Sequence, residues 1–516
     1  MRDLIISLCG GVAGISLTGW FQPPEKEQNL EEKNMKLREL LDGIEYSGKV
    51  DLDSEIAIVL TDSRKVVDGS VFVCIKGKRF DGHAAAGDAL SSGAVAVVTE
   101  RELGLDNEIV VADTRAANAK LCQNFFRNPQ DSLKLIALTG TNGKTTVSNI
   151  IKQALTVLGY KTGLIGTIRC EICDMEIPSK FTTPEPWDLC ALFSRMLAAG
   201  CTHVVMEASS QALDQGRLIG LNFICSVFTN LTQDHLDYHG TMENYYQAKR
   251  SLFDNTKTAV INIDDESGRR LLKDIAIPAI TVSASDDTAD YVAKDIDYAI
   301  SGVKFNIGGE GFEDRISFPM PGLYSVNNAI CAAAALFALD IDKHISCDAV
   351  SEAKGVKGRC EVLFSEEFTV MRDYAHTGDG LEQLLSSLKP FVKGRLIVLF
   401  GCGGRRDPKK RPKMANAVAK FADFIILSSD NPRTEDPMAI IDQVSGYLRD
   451  AGVTFTSIPD RTYAIKWGIE NMKKDDVLVL CGKGHEDYQI IDGCTIYLDE
   501  SRVVEDVIAE YKSKRS

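Results

Sequence analysis

Positive charge is in short supply along this chain of 516 residues: 58 lysines and arginines against 73 aspartates and glutamates leave a formal net charge of −15. That balance argues against nucleic-acid binding as the main activity, because a phosphate backbone demands a basic face. Any anionic ligand must therefore be held by local lysines, arginines and backbone N–H groups. Regular cysteine spacing is absent as well. The 14 cysteines are scattered without the framework of a disulfide-stapled secreted domain, which suits reduced thiols in a cytoplasm. The one C-x-x-C, Cys170-Glu-Ile-Cys173, has no second pair to complete a zinc site and reads as structural. From Met35 onward there is no internal repeat and no low-complexity segment. Long apolar runs are missing too. The nearest, LIISLCGGVAGISLTGWF (4–21), is short for a membrane span, broken by glycines and preceded only by Arg2 and Asp3.

Residues 1–34 stand apart from the rest. The apolar run gives way to QPPEKEQNLEEKN, and an ordinary amphipathic domain start, MKLRELLDGIEYSG, follows at Met35. Met35 is therefore expected to be the initiator, with 1–34 a non-native or disordered extension; a membrane anchor is the alternative. What remains has ordinary soluble composition, 44% hydrophobic and 25% charged, and is long enough for three domains. Their expected bounds are 35–132, 133–358 and 359–516.

The pattern up to Ser132 is mixed α/β. SVFVCIKG (70–77) and AVAVVTE (94–100) read as buried strands, and HAAAGDALSSG (83–93) as a short helix ended by glycine. From Leu133 strands and helices alternate, with strands KLIALTG (134–140), THVVMEA (202–208), ICSVFTN (224–230) and TAVINID (258–264). Such alternation predicts a parallel, doubly wound sheet. After a junction at GRCEV (358–362) it restarts with FTVMRDYA, RLIVLFG, FADFIILSSD and DVLVLCG. The expected fold is α/β in three domains: a mixed N-terminal domain, a central parallel-sheet P-loop ATPase domain and a C-terminal Rossmann-like domain.

TGTNGKTT (139–146) sits between a strand and a helix, where a nucleotide loop belongs. Gly140 and Gly143 let the backbone around Thr141 and Asn142 curl, so that its N–H groups and the helix N-terminus face an anion. Lys144 can reach terminal phosphates, and the Thr145 hydroxyl, with Thr146 beside it, can ligate Mg²⁺. Leu138 occupies the first glycine position of the strict G-x-x-x-x-G-K-[ST] pattern; the strand and helix context carries the assignment. Glu207 ends a strand in MEASS (206–210) and is a second candidate Mg²⁺ ligand. Asp234, His235, Asp237 and His239 crowd TNLTQDHLDYHG (229–240), which reads either as a solvated loop or as part of the site.

Ten segments taken in order, TGTNGKTT, TTPE, MEASSQAL, TNLTQDHLDYHG, YYQAKRSLF, GRCEV, DYAHTGD, GCGGRRDPKKRP, DNPRTEDP and GKGHEDYQ, resemble the Mur ligases of peptidoglycan synthesis. The resemblance runs from about Asp62 to Gln489 and is greatest to the members that add 2,6-diaminopimelate as the third residue. It implies ATP-dependent amide formation. The γ-phosphoryl group of ATP moves to the D-glutamate carboxylate of UDP-N-acetylmuramoyl-L-alanyl-D-glutamate, and an amine of meso-diaminopimelate displaces phosphate.

By the same resemblance Gly140, Thr141, Asn142, Gly143, Lys144, Thr145 and Thr146 hold ATP, with Asn328 and His376 as further nucleotide contacts. Two Mg²⁺ ions fall to Thr145, Glu207, His235 and Lys249, and Lys144, His235 and Lys249 form the catalytic set. Lys249 of YYQAKRSLF (245–253) matches the lysine that the family carries as a carbamate, so carbon dioxide enters as a structural group. Composition alone reads Lys249 as a surface lysine on an amphipathic helix. A carbamate would turn a +1 group that repels Mg²⁺ into a −1 oxygen ligand. Ser63 of TDSR, with the loop GKRF, is implied for the uridine side; Thr182, Thr183, Ser209, Gln215 and Arg217 are implied for the peptide end. Asp430, Asn431, Pro432, Arg433, Gly482 and Glu486, assisted by Arg406, are implied for diaminopimelate. The resemblance further implies a cytoplasmic monomer acting on small molecules, with no nucleic-acid partner and no stable membrane association. Gln211, Gly378, Ser325 and Arg405 depart from the family's usual His, Pro, Asn and Asp.

The stretch SSDNPRTEDP (428–437) bears on the choice of amino acid. Diaminopimelate carries an amine and a carboxylate at each end, whereas lysine's far end is an amine alone. A site for the former needs a planar donor and an acceptor side by side. Arg433, fixed by Pro432, has the shape of the donor, and Glu486 can accept from the ammonium. As a mere turn residue, Arg433 would instead pair with Glu435 or Asp436.

Overall fold

A computed structural model of the chain describes residues 35–77, 80–309, 311–405 and 408–513. The 1–34 segment, Lys78 and Arg79 of GKRF, and Arg406 lie outside them, and with them the expectations placed there. The described residues divide into two compact units, the break falling between Thr114 and Arg115. No helix among them is long and apolar enough to cross a membrane.

The first unit is built on a four-stranded parallel sheet in the order Ile58–Leu60, Ser70–Val73, Ala94–Thr99, Glu108–Val110. Every residue of Ser70–Val73 is buried, as an inner parallel strand covered on both faces requires. Phe72, Cys74 and Val97 pack against Ala86 and Ala89 of helix Ala86–Ser91. That helix is entered through a 3₁₀ turn, Gly82–Ala85, capped by the Asp81 carboxylate, so it starts later than the sequence pattern implies.

The second unit holds two large sheets. The first has eleven strands, and its middle seven are parallel: Thr162–Ile165, His203–Glu207, Lys134–Thr139, Phe223–Phe228, Thr256–Asn262, Ala279–Ser283 and Tyr291–Ala299. Antiparallel strands extend both edges, Arg169–Ile172 with Met175–Pro178 on one side, and Gly302–Gly309 with Phe312–Phe318 on the other. Alternation of βα units does not announce these extensions. They are hairpins, and in Phe312–Phe318 buried and exposed residues alternate, since antiparallel strands tolerate one wet face. Helices Lys144–Val157 and Leu323–Phe337 lie together on the sheet, joined through Val147, Ile150, Ile151, Val326, Ile330 and Ala333. The run of alanines in the second helix lets the two backbones approach.

The other sheet has six strands in the order Glu361–Ser365, Thr369–Asp373, Val477–Cys481, Leu396–Phe400, Phe424–Leu427, Phe455–Ser457, parallel except at the first pair. Four neighbouring strands thus end at the same edge. They release the segments beginning at Tyr374, Gly401, Ser428 and Gly482, the edge where parallel sheets bind ligands. The C-x-x-C of the sequence is not a pair here. Cys170 is buried, and the Cys173 sulfur lies 3.6 Å from that of Cys201.

Candidate active site

The phosphate loop is shaped by two glycines with no room for a side chain. Gly140 has φ +151°, and a Cβ there would sit 2.0 Å from Thr229 Oγ1; Gly143 has φ +86° and would meet Asn328 Oδ1 at 2.7 Å. Asn328 is thereby packed against the loop although it lies 185 residues further on. The loop is pinned from the next strand end: Thr141 N donates to Asn230 O at 2.9 Å, and Asn142 N to Asn230 Oδ1 at 2.9 Å. Asn230 was given no role by the sequence reading. Substituting Ala for Gly143 is expected to lower stability by about 1–3 kcal/mol through strain and displacement of Asn328. It should weaken nucleotide binding as well. Thermal unfolding and calorimetric titration with ADP check both; an unchanged melting temperature would contradict the packing argument.

Thr145 lies in the first turn of helix Lys144–Val157 and donates its hydroxyl to Glu207 Oε2 at 3.0 Å. Glu207 is buried at the carboxyl end of its strand, and Thr167 donates to it twice, from N and Oγ1, each at 2.9 Å. A hydroxyl and a buried carboxylate are hard oxygen donors, and together beneath a phosphate loop they fit a Mg²⁺ ion. Among the described residues no three His, Cys, Asp or Glu side chains converge as a metal site. His235 is about half exposed, at φ +52°, with Asp234 3.7 Å away and its ring 6.2 Å from that of Tyr245.

Lys249 corrects the composition-based reading. It is 1% exposed, on helix Met242–Arg250, and donates to Gly140 O at 2.6 Å with its ammonium 4.7 Å from the Tyr245 ring centre. Lys144 donates to Gly140 O and Thr141 O at 2.9 and 3.0 Å. Two lysines thus share one carbonyl. Burial, and then the Lys144 charge, push the Lys249 amine well below the usual lysine range; burial lowers Lys144 too, against the pull of Glu207. Burying two ammonium groups side by side is costly. A neutral or anionic form of Lys249 removes the repulsion. A third cation, Arg359 of GRCEV, adds to the field on Lys144. It lies over the Tyr374 ring, and its buried Nε has no hydrogen-bond partner among the described residues. The junction motif contained Arg359, but only the fold brings it to the loop.

The residues implied for the peptide end do meet. Thr182 Oγ1 is 3.0 Å from Thr167 Oγ1, and Thr183 Oγ1 donates to Glu207 O at 2.8 Å and lies 3.1 Å from Ser209 Oγ. Arg217 donates to Thr183 O at 2.8 Å and, by two nitrogens, to Gln215 Oε1 at 3.0 and 2.7 Å; Glu185 is its carboxylate partner at 2.7 Å. Ser63, in the first unit, begins the 3₁₀ turn Ser63–Lys65 capped by Asp62.

In the last sheet, Arg433 is not a turn residue paired with its neighbours. Glu435 is taken by Arg411 at 2.8 Å and by Arg405 N at 3.0 Å, and Asp436 caps the following helix. Arg433 itself has φ +58°, a left-handed conformation that costs a non-glycine residue roughly 1–2 kcal/mol. Arg433 N donates to Ile490 O at 2.9 Å, and Nη1 to Gly404 O and Asn431 O at 3.0 and 3.2 Å. Nη2 has no hydrogen-bond partner among the described residues. Gly404 is needed beneath it, since a Cβ there would lie 2.0 Å from Pro432 O. Asn431 Nδ2 donates to Glu486 Oε2 at 3.1 Å. Gly482 has φ +107°, a conformation that calls for glycine, and a Cβ there would find only Asp430 Oδ2 at 3.8 Å. Two departures from the family pattern have local reasons. The Arg405 side chain donates from Nε to Thr434 Oγ1 at 2.9 Å, and a Cβ on Gly378 would lie 2.9 Å from Lys413 Cβ. His376 is exposed, with Nδ1 2.8 Å from Tyr374 O.

Some of these groups line one cavity of about 630 Å³, Thr141 and His235 on one side and His376, Asn431, Arg433 and Glu486 on the other. A phosphate loop and an amino-acid-sized recess opening on one space define a nucleotide-dependent ligase of three-domain type. The chain matches the Mur ligase family, catalytic domain over residues 55–124, the Mur ligase middle domain over 138–336 and the Mur ligase, glutamate ligase domain over 358–484. It belongs to the Mur ligase family. It is 42% identical over 482 residues to the UDP-N-acetylmuramoyl-L-alanyl-D-glutamate–2,6-diaminopimelate ligase of Caldanaerobacter subterraneus, covering 92% of this chain and 99% of that one. To one such ligase of Clostridium acetobutylicum it is 43% identical, covering 92% and 100%. A solved structure of a ligase with that same name superposes with a TM-score of 0.71 at 34% identity, over 93% of this chain and 99% of the other.

Proposed function

We propose that the protein joins meso-2,6-diaminopimelate to the D-glutamate of UDP-N-acetylmuramoyl-L-alanyl-D-glutamate, with ATP as the phosphoryl donor, in peptidoglycan precursor synthesis. In this reading the nucleotide sugar lies on residues 35–132, ATP on 133–358 and the amino acid on 359–516, in a cytoplasmic monomer. The loop from Gly140 to Thr146 holds the phosphate chain through those N–H groups that Asn230 does not occupy, and Lys144 turns from its loop carbonyls to neutralise charge on the transferring phosphoryl group. Thr145 and Glu207 would hold a Mg²⁺ ion, and His235 with a Lys249 carbamate a second, and when bound these would supply further charge neutralisation. Arg217, turning from Glu185, fits the peptide carboxylate end. The glutamate carboxylate attacks phosphorus, ADP leaves, and the incoming amine displaces phosphate from the acyl phosphate.

The observation that carries the amino-acid choice is Arg433, strained, buttressed by Gly404 and facing the cavity beside Glu486. A guanidinium and a carboxylate side by side match the zwitterionic far end of diaminopimelate. Arg433→Ala is expected to lower kcat/KM for diaminopimelate by about 30-fold or more, as loss of a desolvated charged contact does, about 2–5 kcal/mol. KM for ATP and the nucleotide sugar should stay as they are. Arg433→Lys should be nearly as damaging, because an ammonium lacks the planar fork. Phosphate release with diaminopimelate, lysine or no amine is the measurement. Equal turnover of both amino acids by the unsubstituted protein, or an unaffected Arg433→Ala variant, would overturn the assignment.

A further inference from the structure

The loop after strand Val477–Cys481 contains a lysine that no part of the proposed chemistry uses. Lys483 is fully buried. Its ammonium donates to Asn431 Oδ1 at 2.6 Å, Tyr488 O at 2.7 Å and Glu486 Oε2 at 3.1 Å. A lysine has three donors, and all three are spent on protein. The ammonium also lies 3.3 Å from Asp430 Oδ1, which has no hydrogen-bond partner among the described residues. Lys483 does not line the cavity; Asp430, Asn431, Arg433 and Glu486, gathered in front of it, do.

Two consequences follow from that position. The first is orientation. Asn431 Oδ1 accepts from both Lys483 and Ile490 N, the latter at 2.9 Å, so the amide cannot flip without presenting NH₂ to an ammonium. Its Nδ2 is thereby aimed at Glu486 Oε2, which receives two donors and leaves Oε1 for a ligand. The second is charge. Asp430 and Glu486 set two negative groups beside the Arg433 guanidinium. With Lys483 behind them the formal charges of the four groups cancel. A neutral recess with separated signs complements a zwitterion, whereas a net negative one favours a lone ammonium.

We propose that Lys483 is a positioning residue that sets amino-acid specificity: it fixes Asn431 and Glu486 and cancels one carboxylate, so that the recess selects an amino acid with a zwitterionic far end over one ending in an ammonium alone. This rests on the diaminopimelate-ligase reading above. The test is steady-state kinetics of the full chain with both amino acids. Lys483→Met, which keeps the length of the side chain without its charge, raises KM for diaminopimelate and lowers the diaminopimelate-over-lysine ratio of kcat/KM by roughly tenfold or more. KM for ATP and for the nucleotide sugar remain unchanged. Asn431→Asp adds the same negative charge with Lys483 in place and lowers the ratio in the same direction, so it decides the matter if Lys483→Met does not fold. A variant whose kcat falls for both amino acids while the ratio and KM stay put has lost only structure, and overturns the proposal. An unchanged ratio in folded Lys483→Met and Asn431→Asp, beside a protein that prefers diaminopimelate, overturns the role of Lys483 alone. If the unsubstituted protein shows no such preference, the underlying reading falls and this one with it.

Discussion

Lys249→Ala is expected to leave a folded protein whose turnover has dropped by about 10²–10³-fold, the scale of losing one preorganised electrostatic group at a transferring phosphoryl centre. Short carboxylic acids such as acetate should restore part of it. Lys249 is buried beside Lys144, and burial and that charge both press it toward the neutral amine. A neutral amine is the form that adds carbon dioxide: the nitrogen lone pair forms the N–C bond, one proton leaves, and an anionic carbamate results. The alanine variant has room where the side chain was, and a free carboxylate can supply the missing oxygens. Full activity in the alanine variant would refute the carbamate, and a folded variant that no acid rescues would weaken it.

Lys144→Ala is expected to abolish ATP turnover to a similar degree while the nucleotide sugar still binds. The ammonium lies on the loop carbonyls of Gly140 and Thr141, at the head of the helix that would receive the phosphates. Its loss removes the lysine charge nearest the loop and leaves Arg359 as the further side-chain cation in its field. The uridine end of the other substrate belongs, in the proposed arrangement, to residues 35–132 and does not need it. Calorimetric titration of the variant with each nucleotide separates the two. Loss of both affinities in a protein with an unaltered melting curve would contradict the division of labour.

Much of this was legible in the chain itself. Strands 134–140, 202–208 and 224–230 are short apolar runs that meet glycines or polar residues, and that punctuation implies parallel strands ending in binding loops. TGTNGKTT announced its role because local geometry decides it: glycines, a helix start and a lysine lie within eight residues. The antiparallel strands from Gly302 to Phe318 were not legible, since half-exposed hairpins carry mixed composition. Lys249 was legible only through resemblance. On its own helix it looks amphipathic and exposed, and it is buried because the phosphate loop, about a hundred residues earlier, folds over it.

By itself, then, the sequence determined the order of the domains, the phosphate loop and the presence of an arginine after Pro432, all matters of local dihedral preference and hydrophobic period. Tertiary structure decided which charges face one another. Parallel strands whose carboxyl ends share an edge bring residues 430–433 against 482–490, and there Asn431, Lys483 and Glu486 close a network across more than fifty residues of chain. The same geometry puts Arg359 near Lys144 and gives Glu435 to Arg411, which leaves Arg433 facing the cavity. Electrostatic energies depend on distance through space and on burial, and neither is written in the spacing of residues along a chain.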